Sequence, residues 1–212
     1  MDIFLDNLFP HVFENRDISS GVWGSTLAFS QGMKVHIRAP SAKGKTTLVS
    51  MLYGIRRDFD GEIRFDKRNT GSFSPNDWAL LRQQKISIVF QDLRLFPHFT
   101  AHENILIKAR LTKTTGDDAI VHFAEKLGIQ DTLDKNVTAL SRGEKQRVAI
   151  LRALVQPFTW LLLDEPFSHL DKENRTRAIE LITSGCEERK AGLIITSLEK
   201  DTFFQYKMKV SM

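Results

Sequence analysis

Four short apolar segments stand out along the chain: residues 34–38 (K-V-H-I-R), 86–90, 160–163 and 193–196, each rich in β-branched residues or leucine. The last three are nearly continuous rather than alternating, as expected of strands buried on both faces of a parallel sheet. Each segment leads into residues with useful chemistry. The first runs into a loop ending in Lys45, the second into Gln91, the third into Asp164 and Glu165, and the fourth into Ser197. Ligands of open α/β sheets bind beyond the carboxyl ends of the strands, so the four segments are expected to converge on one site.

Residues 3–8, 22–29 and 61–65 read as shorter strands joined by polar turns, forming an antiparallel sheet beside the parallel core. Between residues 99 and 140 the pattern turns helical. Thr100 and Glu103 have capping-box spacing, and Ile120, Phe123, Ala124 and Leu127 share one helical face. An inserted helical subdomain, approximately residues 93–156, is expected within a single domain of residues 1–212. The absence of low-complexity stretches, sustained heptads and internal repeats counts against coiled coils and solenoids.

With 212 residues and 42% hydrophobic content, the chain is large enough for a substantial core. Thirty Lys and Arg against 26 Asp and Glu give a net charge of +4, which suits anionic ligands but is also common in soluble proteins. The lone cysteine, Cys186, allows neither an internal disulfide nor a thiolate zinc site, and fits a reducing compartment. No apolar run approaches the roughly 18 to 20 residues needed to cross a bilayer, and the first residues lack a basic, then apolar, leader pattern. Any membrane-crossing part of an assembly that includes this chain is therefore expected from another polypeptide.

Three strings carry the chemistry. Ala39-Pro40-Ser41-Ala42-Lys43-Gly44-Lys45-Thr46-Thr47 lies between an expected strand and a helix beginning near Lys45, where backbone N–H groups and the helix N-terminus attract phosphate. Leu140-Ser141-Arg142-Gly143-Glu144 opens a helix running to Leu154, with Ser141 and Glu144 at capping-box spacing. Asp164 and Glu165 follow a leucine run, placing two carboxylates at the end of a buried strand, where charge is costly without a partner or a function.

In this order, the three strings closely resemble the nucleotide-binding subunit of an ATP-binding cassette (ABC) transporter, over nearly the whole chain. The resemblance implies a P-loop NTPase α/β fold with a mostly parallel sheet, an N-terminal antiparallel β-subdomain and an inserted helical subdomain. It implies ATP and Mg²⁺ as ligands. Residues Ala39 to Thr47 would cradle the phosphates, Lys45 reaching the β- and γ-phosphates. Thr46, Gln91 and Asp164 would serve the metal, Glu165 would be the general base, and Gln91 would transmit motion to a permease. Ser141, Arg142, Gly143 and Glu144 would bind the γ-phosphate held by an opposing cassette, so a homodimer or a cassette heterodimer is implied. Ser168-His169-Leu170-Asp171 resembles the loop that links the two sites.

An adenine-stacking aromatic is expected upstream of the phosphate loop. Phe13 is the candidate by distance, with Phe9 or a core role for Phe13 as alternatives. Three features depart from the family pattern. Ala39 and Ala42 occupy glycine positions; Lys43, which would either add charge near the polyphosphate or be a solvated lysine, stands where a small or polar residue is usual; and Ser197 replaces a histidine. A shorter donor at Ser197 predicts slow hydrolysis, since one lost transition-state donor costs ~10²- to 10³-fold.

The expected function is thus the ATP-hydrolysing subunit of an ABC transporter, at the cytoplasmic face of the cell (inner) membrane and docked on an integral-membrane permease. Within the family the resemblance is greatest to the lipoprotein-release, macrolide-efflux and cell-division group, although amino-acid importer cassettes share much of the pattern. The alternative is a nucleotide-gated regulatory module with little turnover. Nucleic acid is not expected as a partner: chromosome-maintenance cassettes would need long coiled coils, and translation cassettes normally pair two cassettes in one chain. A C-terminal regulatory domain of the sugar-importer kind is not expected either.

Overall fold

The computed structural model describes residues 1–14, 20–112, 115–198 and 202–212. In chain order its strands are β1 (Ile3–Pro10), β2 (Leu27–Phe29), β3 (Lys34–Arg38), β4 (Phe59–Phe65), β5 (Arg68–Asn69), β6 (Ile86–Val89), β7 (Trp160–Asp164), β8 (Gly192–Ser197) and β9 (Met208–Ser211). Its helices are α1 (Lys45–Leu52), α2 (Pro75–Gln84), α3 (Ala101–Thr112), α4 (Asp117–Lys126), α5 (Arg142–Leu154) and α6 (Lys172–Glu188). Among the described residues the strands form an antiparallel sheet, β2-β1-β4-β5, and a parallel sheet, β6-β7-β8-β3-β9.

The continuous apolar runs are explained by burial on both faces of the parallel sheet. Val35, Ile37, Leu162 and Ile194 pack with Leu48, Met51 and Leu52 of α1. Leu161, Leu163, Leu193 and Ile195, one residue out of phase, pack with Val148 and Leu151 of α5 and Ile182 of α6. Burying each such side chain contributes about 1.5–3 kcal/mol. Trp160 fits between the layers because its partner across the ladder is Gly192, where an added Cβ would lie 2.4 Å from the indole.

On the helical side, the capping box at α3 forms, with Thr100 Oγ1 accepting from Glu103 N at 3.1 Å and Glu103 Oε2 accepting from Thr100 N at 2.8 Å. Ile120, Ala124 and Leu127 are fully buried, with Phe123 packed beside them. Residues 113–114, within the expected helical stretch, lie outside the described residues.

The strand expected over residues 22–29 is confined to β2. Val22 and Trp23 are buried, but the chain turns at Gly24 (φ 71°), carrying the Trp23 indole to the phosphate loop. β9 is an additional strand. Its alternating burial on the edge of the sheet, in the string M-K-V-S, lacks the continuous apolar signal of its neighbours.

Candidate functional site

The carboxyl ends of β3, β6, β7 and β8 meet at the N-terminus of α1. From β3 the chain passes through Ala39, fully buried, into an exposed turn at Pro40, Ser41 and Ala42, and then into Gly44 and α1. Ala42 has φ 62°, a left-handed conformation that costs a non-glycine residue about 1–2 kcal/mol. Gly44 is required twice over: its φ is 100°, and a Cβ there would lie 2.7 Å from the Phe13 ring and 2.8 Å from Trp23. Trp23 Nε1 donates to the Lys43 carbonyl at 3.3 Å, fixing the loop from behind.

Lys45 is 5% exposed, and its ammonium donates to Ala39 O at 2.7 Å and Pro40 O at 3.0 Å while lying 3.2 Å from Glu165 Oε1. Thr46 Oγ1 donates to Gln91 Oε1 at 3.1 Å, and Gln91 Nε2 lies 3.5 Å from Glu165 Oε2. Lys45, Thr46, Gln91 and Glu165, drawn from three segments, are therefore linked by three polar contacts that the Lys45–Thr46 peptide bond closes into a ring.

Asp164, 1% exposed, accepts from Thr196 Oγ1 at 2.6 Å. Burial pushes its carboxyl above the usual range, the hydroxyls of Thr196 and Thr46 oppose that shift, and the Glu165 charge adds to it. Glu165 has φ 49°, again left-handed, and its N–H donates to Thr196 O at 3.2 Å. Ser197 is tied in as well. Its carbonyl accepts from Ala39 N at 3.1 Å, and its hydroxyl lies 2.7 Å from Nε2 of His36, a buried β3 residue stacked on Tyr206.

A cavity of about 290 Å³ opens here, walled by Phe13, Ser41, Ala42, Gly44, Lys45, Thr46, Thr47, Gln91 and Glu165, together with Val12. Phe13 is only 4% exposed, its ring committed to Gly44 and Trp23, whereas Val12 is 47% exposed. Phe9 is half-buried against the core and is not in the wall. Nor are Ala39, Pro40, Lys43, Asp164 and Ser197, the first two offering carbonyls to Lys45.

Ser141, Arg142, Gly143 and Glu144 also stand outside the wall. Ser141 Oγ accepts from Glu144 N at 3.2 Å, and Glu144 Oε2 accepts from Ser141 N at 2.7 Å, completing the expected capping box at α5. Hydrogen bonds from the Ser141 backbone and hydroxyl hold the Glu144 carboxyl below the usual range. Gly143 faces the carbonyl of His169, and Arg142 Nη1 lies 3.5 Å from His169 Nε2.

Beyond Gln91 the chain adopts two consecutive left-handed residues, Leu93 (φ 59°) and Arg94 (φ 47°), whose carbonyls accept from the Arg152 guanidinium at 2.6 and 2.7 Å. Buried Asn104 then grips Phe96, accepting from its N–H at 2.7 Å and donating to its carbonyl at 3.2 Å. Phe96 and Phe99 consequently face outward, 49% and 40% exposed, with ring centroids 5.7 Å apart.

Sequence reasoning missed Val12, Trp23, His36 and Gln146. For Gln146 a signal exists: it shares the helical stripe of Ala149, Ile150 and Ala153, and a polar residue on a buried stripe needs partners.

The ABC transporter family profile matches residues 23–168. Over 154 residues the chain is 36% identical to the lipoprotein-releasing system ATP-binding protein LolD of Saccharophagus degradans, spanning 71% of this chain and 68% of that one. Over 174 residues it is 34% identical to the thiamine import ATP-binding protein ThiQ of Haemophilus influenzae, spanning 81% and 78%. A dimeric post-hydrolysis structure of the ATP-binding cassette MJ0796, bound to ADP and Pi, superposes with a TM-score of 0.78 at 25% identity, covering 93% of this chain and 88% of that one.

Proposed function

The chain belongs to the ABC transporter family as an ATP-binding cassette, and from that premise we propose that it hydrolyses ATP to power a separate membrane permease through ATP-driven closure of a cassette dimer. The observation that carries this reading is the ring of Lys45, Thr46, Gln91 and Glu165 at the mouth of the cavity. It combines a phosphate-seeking ammonium, a helix N-terminus and a carboxylate base within hydrogen-bond reach of one another.

The phosphates would enter over Gly44, Lys45, Thr46 and Thr47, with Ser41 and Ala42 at the rim and Lys43 behind. Lys45 would turn from Glu165 toward the β- and γ-phosphates, releasing that carboxylate to accept the proton of the attacking water. Thr46, Gln91 and Asp164 present hard oxygens close together, a set that fits Mg²⁺, which takes few protein ligands and keeps phosphate oxygens. Mg²⁺ would neutralise charge developing on the phosphates. Val12, more than Phe13, would meet the base edge, since the Phe13 ring is already packed. The N-terminus of α5, capped by Ser141 and Glu144, is outside the cavity wall and would serve the nucleotide of a second cassette.

The segment after Gln91, ending in exposed Phe96 and Phe99, would receive the permease. Residues 1–212 would then act as one cassette with a helical arm over about residues 93–156. Among the described residues no helix is long and apolar enough to cross a membrane. The cassette would work at the cytoplasmic face of the cell (inner) membrane, held there by the permease. LolD and ThiQ are named for lipoprotein release and thiamine import respectively. The shared chemistry is nucleotide-driven transport, and the cargo would be set by the permease.

A second reading, a regulatory cassette with little turnover, is favoured by one observation: the Ser197 hydroxyl, at the end of β8, is engaged by His36. Sedimentation of a Glu165→Gln variant with Mg-ATP tests the dimer. Doubling of the mass is expected, and a persistent monomer at saturating nucleotide would refute ATP-driven closure.

A further inference from the structure

Gln146 is 1% exposed, and both ends of its amide are used, on two different segments. Nε2 donates to the carbonyl of Glu165 at 3.3 Å, and Oε1 accepts from the backbone N–H of His169 at 3.2 Å. The partners fix the orientation of the amide, because a carbonyl only accepts and a backbone N–H only donates. Glu165 needs such support: it holds a left-handed φ of 49°, rarely adopted by residues other than glycine, asparagine and aspartate. Among the described residues its carbonyl otherwise has only a 3.5 Å approach from Ser168 N.

The same helix begins four residues earlier at Arg142, and its Gly143 permits the loop to lie close. A Cβ at Gly143 would stand 3.1 Å from the His169 carbonyl. The N-terminus of α5, the loop at Ser168 and His169, and the backbone of Glu165 are therefore one connected unit with Gln146 at its centre.

We propose that Gln146 is a positioning residue that sets the backbone, and hence the carboxylate direction, of Glu165 and couples it to the N-terminus of α5. This rests on the proposed function, in which Glu165 is the base for one nucleotide and the α5 N-terminus meets the nucleotide of the opposing cassette. A shift of α5 on engaging that second nucleotide is delivered to Glu165 through the Gln146 amide. Each site is thereby set by occupancy of the other.

The test compares wild type with Gln146→Met, which keeps side-chain length but loses the amide, and Gln146→Glu, which still accepts from His169 N but cannot donate to Glu165 O. Melting temperature, kcat, KM and the Hill coefficient for Mg-ATP are measured for each. In both variants kcat should fall about 10- to 100-fold with KM changed by less than about threefold. The Hill coefficient should drop from near two toward one. A packing role alone would lower the melting temperature and leave the cooperativity of the folded protein intact. Wild-type kcat and cooperativity in Gln146→Met would overturn the inference, as would a wild-type rate in Gln146→Glu, because the Glu165 bond is the one required. If Gln146→Met fails to fold, Gln146→Glu carries the test. Absence of turnover in wild type itself would remove the proposed function and this inference together; turnover with unaffected variants would remove the inference alone.

Discussion

The ammonium of Lys45 lies 3.2 Å from Glu165 Oε1, joining the first residue of α1 to the residue that follows β7. With Ala39 O and Pro40 O at 2.7 and 3.0 Å, all three ammonium donors have acceptors. Nucleotide phosphate would compete with Glu165 for one of them. Lys45→Met should weaken Mg-ATP binding about 10- to 100-fold, since a hydrogen bond to a charged group contributes about 1.5–3 kcal/mol. Lys45→Arg should restore little, because a planar fork does not match three converging acceptors. Titration calorimetry checks both, and unchanged affinity in Lys45→Met would count against the phosphate loop.

Ala42 and Gly44 predict opposite responses to exchange. Ala42→Gly relieves a left-handed alanine but loosens the unfolded chain, so a net gain of about 0.5–1 kcal/mol is expected, raising the melting temperature by about 1–4 °C. Gly44→Ala should cost about 2 kcal/mol or more, as the methyl meets Phe13 and Trp23 at an already positive φ. Thermal unfolding of the two variants decides.

Arg152 is 8% exposed and retains its charge at neutral pH, although burial lowers its pKa to about 10. Its two bonds hold the left-handed pair Leu93 and Arg94. Arg152→Met should cost about 2–4 kcal/mol and speed amide exchange across residues 92–96. Slow exchange there in the variant would mean that the turn holds itself.

Glu144 gives a pH-dependent contribution. Its folded pKa is depressed, so the stability it adds is present above the ordinary carboxylate range and is lost as pH falls through that range toward the folded value. Because Glu144 is half of a capping box, Glu144→Ala should cost about 0.5–1 kcal/mol at pH 7, with the difference from wild type shrinking as pH falls through and below the ordinary carboxylate range. Denaturant melts across that interval test the sign; a gap that widens in acid would contradict it.

The parallel core was legible because residues 86–90, 160–163 and 193–196 face apolar neighbours on both sides and so carry no polar alternation. The meeting of Lys45, Gln91 and Glu165 is readable from strand-end position, whereas Ser197, also at a strand end, stands outside the cavity wall with its hydroxyl 2.7 Å from His36 Nε2. What escaped depended on tertiary placement. Trp23 reaches Lys43 O only because the chain turns at Gly24, and no spacing in the sequence encodes that contact. β9 pairs with β3 on the sheet edge, where half its side chains face out and its apolar signal is diluted. The left-handed backbone of Glu165 was hidden for a related reason, since it is imposed by Thr196 and Gln146 rather than by local sequence. Distance from Lys45 makes Phe13 a candidate adenine platform, but its burial against Trp23 and Gly44 is a packing outcome that spacing does not encode.

Phosphate release from the purified protein with Mg-ATP, measured beside Glu165→Gln with nucleotide binding followed in parallel, tests the central claim most directly. The account predicts measurable turnover in wild type, its loss in Glu165→Gln, and nucleotide binding in both. Binding with no turnover by wild type, even with a permease present, would contradict a transport motor and leave the regulatory cassette; turnover that survives Glu165→Gln would contradict the assignment of Glu165 as the base.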